Sequence, residues 1–99
     1  MIQNAGTQAI VSGTDAAIGS SGVAMRVFTL HIISDGTATV VSLRNGISAS
    51  ATAYATESGT ISTGKTINYG TQGMLFPAGC FLDVAVHCIA GIVTYCYAS

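Results

Sequence analysis

Residues 59–66, GTISTGKT, match the phosphate-loop pattern, in which a glycine and four arbitrary residues precede Gly64, Lys65 and Thr66. In a nucleotide-binding protein the backbone N–H groups of this loop hold the phosphates, while the lysine and the threonine hydroxyl serve the terminal phosphates and magnesium. This chemistry requires a helix after the loop, because the helix N-terminus faces the phosphates. Residues 67–79 contain three glycines and a proline, which leaves no room for that helix. We therefore interpret the match as a Thr/Gly-rich hairpin turn with a solvated lysine, and we predict no nucleotide cofactor.

Cysteine and histidine are the residues that could bind a metal. Cys80, Cys88 and Cys96 recur every eight residues, and His87 precedes the second of them. On a regular strand Cys80 and Cys88 would face the same side and His87 the opposite side, and zinc sites use shorter spacings on a turn. We predict no metal site and three buried, reduced thiols, because the count is odd and no secretion signal is present. A disulfide across the last hairpin is the alternative.

Catalysis would need a histidine or carboxylate that converges on a nucleophile. His31 is flanked by apolar residues, which is typical of a core or interface position, and Asp35 precedes a glycine, which is typical of a turn. Asp83 and His87 would meet on a helix, but the Val-rich segment around them favours a strand, on which they would lie about 13 Å apart. We therefore predict that the protein is not an enzyme and has no catalytic residues.

Composition favours strands and narrows the range of partners. Only 7% of the residues are charged and 49% are hydrophobic, with a mean hydropathy of +0.59. Ser, Thr, Gly, Asn and Gln must therefore cover the surface, and that mixture disfavours helices. A net charge of −1 with only three Lys and Arg residues gives no basic stripe, so we predict that nucleic acid is not a partner.

Targeting signals are not found in the sequence. The N-terminus has no positive start, and the longest apolar stretch, VFTLHII, is far shorter than the roughly 20 residues that span a bilayer. We predict a soluble protein made in a cytosol, with no membrane partner. Its near-zero net charge gives little repulsion between copies, which indicates an obligate assembly.

Turn signals divide the first half of the chain into strands. Residues 23–34 are rich in β-branched and aromatic side chains and end at a Ser-Asp-Gly turn. Asn45 and Gly46 stand between two strand-like runs and suit a type I′ turn. The sequence therefore predicts a hairpin of residues 37–44 and 47–56.

The second half repeats this pattern of short strands. We predict a strand, a turn at Thr63-Gly64 and a second strand, then a short strand before Pro77, and finally strands 80–88 and 91–98 that pair through a turn near Ala90-Gly91. Seven or eight such strands fit a sandwich or a small barrel. We predict an all-β fold, a small antiparallel β-sandwich that is jelly-roll-like or Ig-like.

The N-terminal segment differs in composition from the rest. Residues 1–22 are rich in small and polar residues, so we predict an N-terminal arm with a possible edge strand, followed by a β-sandwich domain over residues 23–99. Ile2, Ile10 and Val11 are spaced as anchors that could lie on a neighbouring subunit. In the alternative, Ile10 and Val11 complete an edge strand of the same subunit.

Two aromatic residues complete the predicted interface. A ligand-binding module should expose aromatic rings at loop tips, and Tyr69 and Phe76 are the only candidates for this in the sequence. The interface residues that we predict are Ile2, Ile10, Val11, Tyr69 and Phe76.

Three segments resemble a family of virion proteins. They are GMLFPAGCFLDV (73–84), STGKTINYG (62–70) and the opening QNAGTQAIVSGTDAAIGSSG (3–22). Together they resemble small virion proteins of tailed bacteriophages, particularly the capsid decoration or cement proteins of phages that infect aquatic bacteria. The likeness covers most of the chain, and its motifs are structural.

The resemblance implies a function and partners. Decoration proteins of this kind are compact β domains that sit on symmetry axes of an icosahedral shell, usually as trimers, and clamp capsid subunits against internal DNA pressure. The expected partners are copies of the chain itself and the major capsid protein, and the expected location is the capsid exterior after synthesis in the host cytoplasm. The alternative is a tail, neck or fibre-associated β domain, or a small receptor-binding module.

Overall fold

The computed structural model describes residues 6–60 and 62–98, and all regular structure in these ranges is β. Nine strands form two antiparallel sheets, so the predicted all-β antiparallel sandwich is confirmed, with more strands than expected. The strands are β1 Gly6–Val11, β2 Ala16–Ala17, β3 Met25–Ser34, β4 Thr39–Asn45, β5 Thr52–Gly59, β6 Lys65–Asn68, β7 Met74–Phe76, β8 Cys80–Val84 and β9 Cys88–Tyr97.

The strand order is that of a jelly roll. Sheet A has the order β1-β9-β3-β6, with β7 also paired to β3, and sheet B has the order β2-β8-β4-β5. Strands β4 and β5, β3 and β6, β2 and β8, and β1 and β9 form nested antiparallel pairs. The nested pairs form one long two-stranded ribbon that is rolled up so that alternate pairs lie in opposite sheets. This arrangement is a jelly roll, and it differs from an Ig-like sandwich and from a closed barrel.

The core lies between the two sheets and follows the period of two in the strands. Met25, Val27, Leu30 and Ile32 of β3 point inward, and the phase changes at a bulge between Val27 and Thr29. Because the extra residue of the bulge shifts the inward and outward alternation by one position, the inward side chains on both sides of it still face the core. Inward residues of the other strands complete the core; they are Ile10, Ile18, Val41, Leu43, Phe76, Cys80, Leu82, Val84, Cys88 and Val93.

Residues 6–22, which the sequence indicated as part of an arm, lie within the two sheets. β1 pairs with β9 along its whole length, and β2 pairs with β8. Ile10 and Ile18 are buried in the core, which explains why this segment packs on its own sandwich instead of extending away. The edge-strand alternative is therefore the one that the described residues adopt.

The predicted hairpin around Asn45 is present, but its turn is longer than expected. β4 and β5 pair with Asn45 opposite Thr52, so residues 46–51 form a six-residue connection instead of a type I′ turn. The Arg44 guanidinium holds this loop, because its Nη1 donates to the carbonyl oxygen of Ala51 at 2.9 Å. The backbone N–H of Gly46 donates to the Gly79 carbonyl, which ties the loop to the segment before β8.

Two other predicted hairpins are wrong in their pairing. The turn at Thr63-Gly64 connects β5 in sheet B to β6 in sheet A, where Ile67 faces Leu30 of β3 and covers the core. Ala90 and Gly91 lie inside β9, a central strand of sheet A. Turn-forming residues report local backbone preference only, whereas packing against neighbouring strands and the core decides which strands pair.

Candidate functional site

Two residues of the phosphate-loop match, Lys65 and Thr66, are engaged by other parts of the fold. Lys65 is the first residue of β6, so a strand follows the loop where a nucleotide site would need a helix. The Lys65 ammonium donates to the Ser58 carbonyl at 2.8 Å, and the lysine is partly buried instead of fully solvated. Thr66 Oγ1 lies 2.6 Å from Nδ1 of His31. The segment therefore joins the two sheets, and its polar groups stabilise that connection.

Replacing Lys65 with alanine should have a small effect. The variant loses one surface hydrogen bond, so we expect the free energy of unfolding to fall by about 0.5 kcal/mol in denaturant melts. Isothermal titration with ATP and magnesium should give the same result for the wild type and the variant, and Lys65→Arg serves as the control that keeps the bond. Saturable ATP binding that disappears in Lys65→Ala would show that the loop is a nucleotide site after all.

All three cysteines are buried and free. Cys80 lies in β8 of sheet B and Cys88 in β9 of sheet A, so the expectation that one strand carries both on the same side is wrong, because the chain changes sheets between them. Burial raises the pKa of Cys80 to about 12 and also raises the pKa of Cys88. Within residues 6–60 and 62–98, no group of three potential ligands among His, Cys, Asp and Glu comes together.

The histidine beside Cys88 has a carboxylate partner. The His87 ring N–H donates from Nδ1 to Oδ2 of Asp35 at 2.8 Å, and this bond, followed by one from the backbone N–H of Thr37, lowers the pKa of Asp35. Asp83, the other candidate partner of His87, faces Arg44 instead, with its Oδ2 2.9 Å from Nη2. These pairs hold turns and strands together.

Every one of the seven charged side chains has an intramolecular partner. Beyond the pairs already described, Asp15 accepts the Val84 backbone N–H at 2.7 Å, and Arg26 donates to the Gln72 carbonyl at 3.4 Å. Glu57 accepts the Tyr69 hydroxyl at 3.2 Å. Each charged side chain therefore makes at least one polar contact within the fold.

The predicted interface residues fall in different environments. Ile2 lies outside the described residues, Ile10 belongs to the core and Val11 is 62% exposed. Tyr69 is partly buried and packs on the core; its pKa is raised by burial first and by the neighbouring Glu57 second. Phe76 is fully buried and its ring stacks on that of Tyr54, so its prediction as an exposed contact residue is wrong.

Large apolar side chains are exposed at the end of the sandwich where β1 stops. Val11, Val86 and Ile89, which we call the end patch, are 62%, 74% and 44% exposed. Val11 faces Ala90 across the β1–β9 pair, and the Gly13 N–H donates to the Cys88 carbonyl at 3.1 Å. These contacts bring the three side chains to one end. The sequence did not predict this patch, because its pattern puts Val86 inside strand 80–88 and Ile89 in the connection that follows it.

On the outer face of sheet A, small and hydroxyl side chains lie beside the end patch. Thr7, Thr94 and Thr29 form one row across three strands, and the hydroxyls of Thr29 and Thr94 are 2.5 Å apart. In the adjacent row Ala9 faces Ile92, which is 46% exposed. This face can make apolar and hydroxyl contacts over several strands.

Comparison with known proteins adds no further constraint. Searches of protein-family models, of curated proteins and of solved structures found no match to the chain. Among the described residues, no helix is long and apolar enough to cross a membrane.

Proposed function

We propose that this protein is a virion structural protein, a capsid decoration or cement protein that binds the outer shell of a tailed bacteriophage at symmetry axes and stabilises it. It acts there as a homo-oligomer, with the major capsid protein as its other partner. The observation that carries the proposal is the character of the surface. The charged side chains form hydrogen bonds or ion pairs within the chain, whereas several large apolar side chains are exposed.

A surface of this kind suits a protein that acts by binding other proteins. A nucleic-acid binder relies on clustered cations, but this chain has only three Lys and Arg residues, and each donates to a carbonyl or carboxylate oxygen of the same chain. Uncharged surfaces with exposed Val and Ile bury favourably against another protein surface. The end patch and the outer face of sheet A are the areas that we assign to such contacts.

The architecture supports the proposal by analogy. Jelly rolls occur in viral capsid proteins and also in lectins and cupins, so the fold agrees with a virion role without specifying it. The molecule measures 38 × 27 × 18 Å, which suits a module that covers a junction between capsid subunits.

The location of the chain in purified particles tests the proposal. Virions from a lysate of the cells that make this chain are labelled with a gold-conjugated antibody against it and imaged by negative-stain microscopy. Particles that lack the gene are the control, and their heads should release DNA at a lower temperature if the chain acts as a cement.

Each labelling pattern has a distinct meaning. Gold over the shell supports decoration. Gold confined to the tail, neck or fibres rejects decoration in favour of the tail-associated or receptor-binding role. Particles that carry no label reject a virion role.

A further inference from the structure

The edge of sheet A formed by β1 is open. In the part of the chain that the structure describes, β9 is the only strand paired with β1, so the backbone N–H and C=O groups on its other side have no strand partner. Edge strands in soluble proteins are usually protected against addition of another strand by charges, prolines, bulges or short length. β1 has none of these, because its sequence is GTQAIV and its register with β9 is unbroken over six residues.

The other edges are protected. β2 contains only two residues and β7 only three, and β6 contains four and begins with Lys65. β5 carries Glu57, and its pairing with β4 is interrupted by a bulge. β1 is therefore the edge that the fold leaves available.

We propose that the edge of β1 binds the β1 strand of a second copy of this chain, in antiparallel register with Ala9 opposite Ala9 of that copy. The proposal rests on the self-association in the proposed function and not on the virion location. A two-fold axis perpendicular to sheet A places the outer faces of both copies on the same side of the joined sheet. Residues paired across the axis must therefore share a face, so their numbers must differ by an even number of positions.

The Ala9 register satisfies this condition and uses the exposed part of the strand. It places Thr7 opposite Val11 of the second copy, so the 62% exposed Val11 side chain gains a cover. No charged residue lies in β1, so the two copies do not repel each other. On the same side of the sandwich the edge of sheet B is β2, whose side chains are both alanine and leave space for the second copy.

The pairing is reversible in solution. Two strands of this length bury less than the about 1,200 Å² of a stable interface, so the dimer should form with increasing concentration. Copies bound side by side on one surface have a high effective concentration, which favours the pairing there. A two-fold pairing closes at two copies, in place of the three that the resemblance implied.

Cysteine cross-linking tests the register directly. Because the three native cysteines are buried, Ala9→Cys introduces a solvent-accessible thiol on the outer face. In the proposed dimer the two new thiols meet at the two-fold axis, within the reach of a disulfide. Under mild oxidation Ala9→Cys should give a disulfide-linked dimer on a non-reducing gel.

A matched control lies on the same strand and face. Thr7→Cys is also exposed, but the two copies of residue 7 would be about 14 Å apart, which is beyond disulfide reach, so it should give at least about tenfold less dimer. Circular dichroism confirms that both variants fold. Equal cross-linking of both variants, no cross-linking of either, or a trimer by light scattering of the wild type would overturn the proposal, whatever the labelling of virions shows.

Discussion

Gly91→Ala should leave little folded protein. Gly91 lies in β9 between Ile10 of β1 and Ile32 of β3, with a φ of +157°. A Cβ at this position would overlap the carbonyl oxygen of His31 and lie 2.7 Å from Cδ1 of Ile10. Since a central strand cannot move away from both neighbours, we expect a loss on the order of 4 kcal/mol, a large part of the stability of a domain this small.

Urea melts followed by circular dichroism measure this loss. The Gly36→Ala control separates the two causes of the loss, which are backbone strain at positive φ and overlap of the new Cβ with its neighbours. Gly36 has a φ of +100° in the turn after β3, and no atom lies within 4 Å of the position of a Cβ. The control therefore suffers backbone strain alone and should lose about 1 to 2 kcal/mol. Similar melts for Gly91→Ala and Gly36→Ala would mean that β9 does not pass so close to β3.

Phe76→Ala should be the most destabilising truncation in the core. Phe76 is the largest fully buried side chain, and its ring centroid lies 5.4 Å from that of Tyr54. Removing a buried phenylalanine leaves a cavity and costs about 3 to 5 kcal/mol. Thermal and urea melts should both show the loss.

The neighbouring residue provides the control. Leu75 is 40% exposed on the opposite face of β7, so Leu75→Ala should change the stability by about 0.5 kcal/mol or less. A reversed result, with Leu75→Ala the more harmful variant, would place β7 with its other face toward the core, because a shift of one residue exchanges the faces of a strand.

The fold class could be predicted because it depends on local signals. Short runs of β-branched residues between turn residues gave β3 and the hairpin of β4 and β5. The length of the turn in that hairpin could not be predicted. Arg44 stabilises the longer loop through its bond to Ala51, and its guanidinium is held in turn by Asp83 of β8, which is distant in sequence.

Strand pairing and the exposure of apolar side chains could not be predicted from the sequence for a related reason. A three-residue strand such as β7 has too few positions to show which face is apolar, so Phe76 and Leu75 could not be told apart. Val11 and Ile10 are adjacent and equally apolar, and only the pairing of β1 with β9 places one outside and the other in the core. Which apolar side chains are exposed therefore depends on how the strands pair, and the local sequence does not specify that pairing.

The nested ribbon also determines the order in which the molecule can form. The β4–β5 hairpin joins segments close in sequence, whereas β3 with β6, β2 with β8, and β1 with β9 close progressively longer loops. Because each longer loop costs more chain entropy, we expect the strand pairs to form in order outward from the hairpin, with β1 pairing last. We also expect folding to be slow for a domain of this size. A nascent chain cannot complete sheet A before β9 has left the ribosome, and until then the hydrophobic faces of β3 and β4 remain open to other chains.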